Sequence, residues 1–210
     1  MPIIVSTYRT CWFLKNKHFG TIYPTLFRKV EPVNYTRERL TTNDNDFLDL
    51  DISSVKSNSL VIITHGLEGN SKSKYAEGLV GYLNKNKLDA VVVNQRGCSG
   101  EPNNLLSSYH SGKSDDLDLV VNYFTEKYSN IYLVGFSLGG NITLKYVGEQ
   151  SDNINAKIKK AIAISVPCDL EGSSYELKKF SNKIYMERFL RTLKSKTLEK
   201  LDRFPNSAIS

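Results

Sequence analysis

The chain has 210 residues, of which 40% are hydrophobic, and a formal net charge of +6. That length suits one domain, or one domain with a small appendage, and the apolar content is enough for a real core. Three widely spaced cysteines, Cys11, Cys98 and Cys168, argue against a disulfide framework and against a zinc site, no stretch approaches the ~18 apolar residues of a membrane span, and no nucleic-acid motif or aromatic-interleaved basic groove is present.

The N-terminal run Ile3-Ile4-Val5 is too short for a signal peptide, so a cytoplasmic protein is expected. Residues 1–33 read as irregular, with Pro2, Pro24 and Pro32 interrupting a series of aromatics. Tyr35–Leu40 and Asp46–Ile52 alternate in polarity around the turn signal Asn43-Asp44-Asn45, which predicts a hairpin. Leu60–Ile63 is a continuous apolar strand ending at His65-Gly66. Tyr75, Leu79 and Leu83 mark a helix. Ala90–Val93 is the next buried strand, ending at Arg96-Gly97. Ser114 is expected to cap a helix whose first turn carries Asp115 and Asp116.

Ile131–Val134 then leads into Gly135-Phe136-Ser137-Leu138-Gly139, and a helical pattern, Ile142, Leu144, Tyr146 and Val147, leads out of it. Ala161–Ile164 is a further strand. Beyond Asp169, Tyr185, Phe189 and Leu193 repeat at i, i+4, i+8, predicting one or two amphipathic helices over about 173–202. Nine basic and four acidic residues lie between Glu176 and Arg203, a local excess of +5. This segment reads as a lid or as a sheet-covering helix. Its lysines read as a solvated face or as a surface attracted to anionic lipid.

Apolar strands alternating with amphipathic helices predict an α/β fold, a mostly parallel sheet with helices on both faces, and the opening hairpin adds an antiparallel edge. Chemistry in such sheets gathers at the carboxyl ends of the strands, where His65-Gly66-Leu67, Arg96-Gly97, Ser137 and Asp169 fall.

A Gly-x-Ser-x-Gly between strand and helix is the signature of a nucleophile elbow, a turn too tight for side chains two residues either side of the serine. Ser137 is therefore the candidate nucleophile. Oxyanion donors are expected from the backbone N–H of Leu138 and, in the loop after the strand Leu60–Ile63, of Leu67. The base is harder to place. His18, His65 and His110 all precede Ser137, whereas the usual order in this fold is serine, acid, histidine. His65 reads as a loop-shaping residue bonded to backbone. Asp169 is a candidate acid or a helix cap, Asp152 and Asp202 read as surface residues, and Cys98 as a small residue in a tight turn. No metal-ligand cluster or phosphate-binding loop is present, so no metal or cofactor is expected.

Several segments together resemble the YheT-like branch of the α/β-hydrolase superfamily, the AB hydrolase 4 family. They are His18 with Thr21-Ile22-Tyr23-Pro24, Thr64–Gly69, Asn94–Gly100, Tyr109–Gly112, Gly135–Asn141 and Val166–Leu170. The resemblance implies a serine esterase that works through an acyl-enzyme on short- or medium-chain acyl esters. Some such enzymes act on lipids, and some transfer the acyl group to an alcohol. Ser137 matches the nucleophile, and Leu67 and Leu138 match the oxyanion positions. Family members continue well past the position of Ser210, and that continuation carries the last strands, the acid and the base. The resemblance therefore implies a partial hydrolase core over 1–170 and the start of a helical lid over 171–210. The chain alone is expected to be weak or inactive, or else a non-catalytic binding protein that keeps the fold. A small-molecule acyl ester is the expected partner, nucleic acid is not, and weak contact with a membrane surface is expected through the basic lid.

Overall fold

The computed structural model describes residues 3–205. In chain order the elements are α1 (Lys17–Phe27), β1 (Thr36–Thr41), β2 (Phe47–Ser53), β3 (Ser59–Thr64), α2 (Lys74–Lys85), β4 (Asp89–Asn94), α3 (Ser114–Thr125), β5 (Asn130–Phe136), α4 (Leu138–Gln150), β6 (Ile158–Ile164), α5 (Leu170–Lys178) and α6 (Lys183–Arg203), with short 3-10 turns between some of them. The strands form one sheet in the order β1-β2-β4-β3-β5-β6. β1 and β2 form the expected hairpin, β2 is antiparallel to β4, and the β4-β3-β5-β6 pairings are parallel.

The central strands are apolar throughout because both faces are covered. Leu60 and Ile62 of β3 face α3 and α4, packing with Val120, Phe124 and Ile142. Val61 and Ile63 face the other way, onto Ala76 and Val80 of α2. β2 splits differently. Leu48 and Leu50 join the first core, while Asp49 and Asp51 are buried and form charge-assisted bonds with Arg39 and Arg37 of β1, at 2.7 Å each. β6 closes the far side. Its outer edge has no strand beside it among the described residues, and Ile162 and Ile164 are 52% and 39% exposed.

Two expectations are corrected. The segment read as irregular contains α1. Asn16 caps it, its side chain accepting from the N–H groups of His18 and Phe19 at 3.0 and 3.3 Å, and Pro24 lies inside the helix, where it forgoes the bond back to the Gly20 carbonyl. Pro2 lies outside the described residues, as does the stretch 206–210 of the expected lid. Ser114 is the first residue of α3 instead of its cap. Its hydroxyl donates to Glu149 at 2.5 Å and accepts from Lys145 at 3.1 Å, so it clasps α3 to α4. The basic C-terminal segment forms α5 and α6, and α6 lies against the core through polar contacts; no residue of α6 is buried.

α4 enters the sheet so closely that Gly139 has no room for a side chain. A Cβ there would overlap the main-chain oxygens of both Thr64 and His65. Backbone cannot swing aside as a side-chain tip can, so Gly139→Ala is expected to lower stability by more than about 3 kcal/mol, the upper range for overpacking. Gly81, inside α2, has nothing within 4 Å of such a Cβ. Gly81→Ala is expected to gain about 0.5–1 kcal/mol from helix propensity. Urea unfolding of the two variants checks both signs, and a Gly139→Ala midpoint equal to wild type would refute the close approach.

Candidate active site

The turn between β5 and α4 holds Ser137 at φ 51° and ψ −118°, a left-handed conformation that a non-glycine residue adopts only where its surroundings impose it. The Ser137 N–H donates to the carbonyl of Ile164 on β6 at 2.9 Å. Its side chain makes no capping bond to α4, although it occupies the cap position. The hydroxyl is thus not committed to capping the helix it precedes, and the residue is half-buried.

Facing it is the loop after β3. A Cβ on Gly66 would stand 3.2 Å from the Ser137 Cβ, so this loop passes directly over the serine. Two tyrosines hold it. The Gly66 N–H donates to Tyr75 Oη at 3.1 Å, and the Glu68 N–H donates to Tyr109 Oη at 2.8 Å. The Leu67 N–H lies between these two occupied donors and meets no acceptor among the described residues. The same holds for the Leu138 N–H at the start of α4.

His65 shapes this loop from beneath. Its ring is fully buried. Nδ1 donates to the Gly66 carbonyl at 2.8 Å, and Nε2 accepts from the Gln95 N–H at 3.1 Å, which fixes the proton on Nδ1. Burial pushes its pKa down to about 4. Both nitrogens are committed to backbone, as the sequence reading anticipated. His18 bonds Tyr185 through Nδ1 at 3.1 Å and stacks on its ring, joining α1 to α6. His110 Nδ1 accepts from the Gly112 N–H at 3.1 Å. None of the three histidines bonds the Ser137 hydroxyl. Asp169 caps α5, accepting from the Gly172 N–H at 2.9 Å. Asp152 and Asp202 are exposed.

Sequence reasoning missed one cluster. Glu68, at φ 55°, has a side chain only 6% exposed. Tyr109 O–H donates to its Oε1 at 2.8 Å. Lys196, reaching over from α6, places Nζ 3.0 Å from Oε1 and 2.8 Å from Oε2, and 3.3 Å from the buried Cys98 Sγ. Burial pushes the Cys98 thiol up, and the adjacent ammonium opposes that. Tyr109 and Glu68 stood in recognisable segments, but nothing in sequence linked either to a lysine far along the chain. Among the described residues no group of three or more His, Cys, Asp or Glu is placed to hold a metal ion, and no helix is long and apolar enough to cross a membrane.

Comparison with known proteins agrees with this architecture. The family pattern described as alpha/beta hydrolase fold matches residues 59–206. YheT of Escherichia coli, which carries an esterase name, is 32% identical over 198 residues, covering 91% of this chain and 58% of its own length. The monoacylglycerol lipase of Saccharomyces cerevisiae is 35% identical over 130 residues, covering 60% of this chain and 28% of its own. The chain thus spans little more than half of the first relative and about a quarter of the second. Among solved structures, the Pyrococcus furiosus esterase Pf2001 superposes with a TM-score of 0.59 at 20% identity, over 73% of this chain and 62% of that one, which bears on the fold alone.

The committed His65 ring makes stability depend on pH. The folded pKa lies below the unfolded value of 6.5, so the unfolded chain takes up the proton first and stability falls as pH drops from 6.5 towards 4. Between pH 7 and pH 5 this single group is expected to cost about 2 kcal/mol. Urea titrations at the two pH values check it, and His65→Gln is expected to flatten the difference. A wild type equally stable at both would contradict a neutral buried ring.

Proposed function

The chain belongs to the α/β-hydrolase family, and on that footing we propose that it carries the nucleophile and the oxyanion donors of a serine carboxylic-ester hydrolase. The observation that carries this reading is Ser137, held in a strained turn between β5 and α4 with its hydroxyl freed from helix capping and the loop of Leu67 packed over it. In this reading β5 and α4 form a nucleophile elbow. Ser137 Oγ attacks the ester carbonyl, and the carbonyl oxygen, as it becomes an oxyanion, is met by the Leu67 and Leu138 N–H groups. The alcohol leaves, and water resolves the acyl-enzyme. The esterase and lipase names of the relatives favour small acyl esters as substrates.

The attack needs a base, and none of the three histidines is arranged to be one. Efficient turnover is therefore assigned to a protein in which a histidine and a carboxylate are supplied from outside these 210 residues, with residues 171–210 as the beginning of a lid. Lys183, Arg188, Arg191 and Lys194 remain exposed on α6 and are the residues through which weak contact with an anionic membrane surface would occur. A second reading, a binding protein that keeps the fold without turnover, draws on the same lack of a base. Transfer of the acyl group to an alcohol would use the same serine.

Hydrolysis of p-nitrophenyl butyrate by the chain, together with whatever its reading frame encodes beyond Ser210, tests the proposal. Ser137→Ala is expected to reduce kcat by at least about 10³-fold. Undiminished activity in that variant would overturn the assignment, and saturable acyl-ligand binding without hydrolysis would favour the binding protein.

A further inference from the structure

We propose that Lys196 is a positioning residue: by seating α6 on Glu68 it holds the Leu67 donor loop in shape, so that the oxyanion donors are assembled only when α6 is docked. The role given to Leu67 rests on the function proposed above; the mechanical coupling does not.

Glu68 is where the coupling resides. Its backbone is left-handed, at φ 55°, which a side-chain-bearing residue adopts only if held there. Tyr109 holds it at two points, accepting from its N–H and donating to its carboxylate, both at 2.8 Å. That clamp requires the carboxylate to stay inside the protein, where it is only 6% exposed. A buried carboxylate is held in place by the donors and cations that face it, and apart from Tyr109 the Glu68 carboxylate has one such group. The cation is Lys196 Nζ at 2.8 Å, and it belongs to α6, 128 residues further along the chain. If α6 lifts, the charge loses its partner and Glu68 must turn to water. Turning out breaks the Tyr109 clamp and releases the left-handed backbone next to the Leu67 N–H.

The helix is suited to lifting. None of its residues is buried; Tyr185, Phe189 and Leu193 are part-buried on the same face as Lys196 and Lys200, and the C-terminal half of the helix is tied down by polar side chains. Lys196 is followed at i+4 by Lys200, which donates to the carbonyls of Leu106 and Ser107 at 2.7 and 2.9 Å. At i+7, Arg203 donates to the Asn103 carbonyl at 2.8 Å. Largely exposed polar contacts of this kind are individually weak. Lys200 is the internal control, since it docks the same face of α6 but is bonded to the 106–108 segment instead of Glu68.

Amide hydrogen exchange on the 210-residue chain, resolved at Glu68 and Gly69, whose N–H groups are bonded to Tyr109 Oη and the Gly66 carbonyl, tests the proposal without requiring turnover. Lys196→Met is expected to speed exchange there at least tenfold, while the β3 and β5 amides stay protected. Lys196→Arg should restore it to within about twofold, and Lys200→Met should loosen 106–108 without affecting Glu68 and Gly69. Unchanged exchange in Lys196→Met, or an equal rise in Lys200→Met, overturns the proposal. Should Lys196→Met fail to fold, Glu68→Gln removes the same pair from the other side and is expected to give the same rise; no rise there also overturns it. In the p-nitrophenyl butyrate assay, Lys196→Met is expected to lower kcat about tenfold at unchanged KM, the signature of a contact used in the transition state alone. A change confined to KM would refute the link to the oxyanion donors. If Ser137 proves dispensable while the exchange pattern holds, the esterase reading fails and the coupling stands.

Discussion

The end of β3 and the start of α4 meet backbone to backbone, and the site exists because of that contact. Gly139 leaves no space between α4 and the carbonyls of Thr64 and His65, and Gly66 lets the following loop pass over Ser137. The serine and the Leu67 N–H come from strands adjacent in the sheet, β5 and β3, so parallel pairing brings the two strand ends to the same level. The glycines then remove the last few ångströms. The strain at Ser137 is affordable only because the strand before it and the helix after it are both anchored in the core.

Around this contact the loops are fixed mainly by polar atoms. Arg96, almost fully buried, reaches Asp44 in the hairpin turn at 2.7 Å and Asp116 at the start of α3 at 2.8 Å. Asp51 accepts from Arg37 at 2.7 Å, from the Ser71 hydroxyl at 2.5 Å and from Asn94 at 2.8 Å. Arg96 and Asp51 thus each have a charged partner and hydrogen bonds, the condition under which such groups specify geometry instead of simply costing stability. Removing one member would strand the others. The loops after β3 and β4 are therefore set by networks that also hold the antiparallel edge, tying β1 and β2 to a site they never touch.

Much of this was legible in the sequence, and the parts that were not share a cause. Leu60–Ile63, Ala90–Val93 and Ile131–Val134 stood out because burial on both faces demands unbroken apolar runs. The Ser137 turn stood out because its geometry admits few residues. His65 was read as a loop-shaping residue, and its two backbone bonds agree. α1 was hidden because Pro24 and Pro32 outweighed a single capping asparagine. Ser114 was misplaced by one residue because its hydroxyl found Glu149, a partner that local sequence cannot reveal. Lys196 was harder still. Among nine basic residues in that segment nothing marks the one that meets a buried carboxylate, because the signal lies in Glu68, and the segment Thr64–Gly69 gives no sign in sequence that its carboxylate turns inward.

The distribution of protons argues for how the chemistry must be divided. His65 is the histidine that the fold brings next to the serine, yet a pKa of about 4 and two committed nitrogens make it a strut, unable to accept a proton near neutral pH without breaking the loop it supports. Using it as base would dismantle the loop it underpins, the loop proposed to supply an oxyanion donor, so the two roles exclude each other. A base must then approach from another direction. The sheet grows outward from β3 through β5 to β6, all parallel, and a further parallel strand beside β6 would end on the same side as Ser137. Exposed Ile162 and Ile164 mark that edge as a surface not finished for solvent. The Ser137 N–H bond to Ile164 makes the same edge continuous with the serine's own backbone. A residue carried there would face the hydroxyl from the side that neither His65 nor the donor loop occupies.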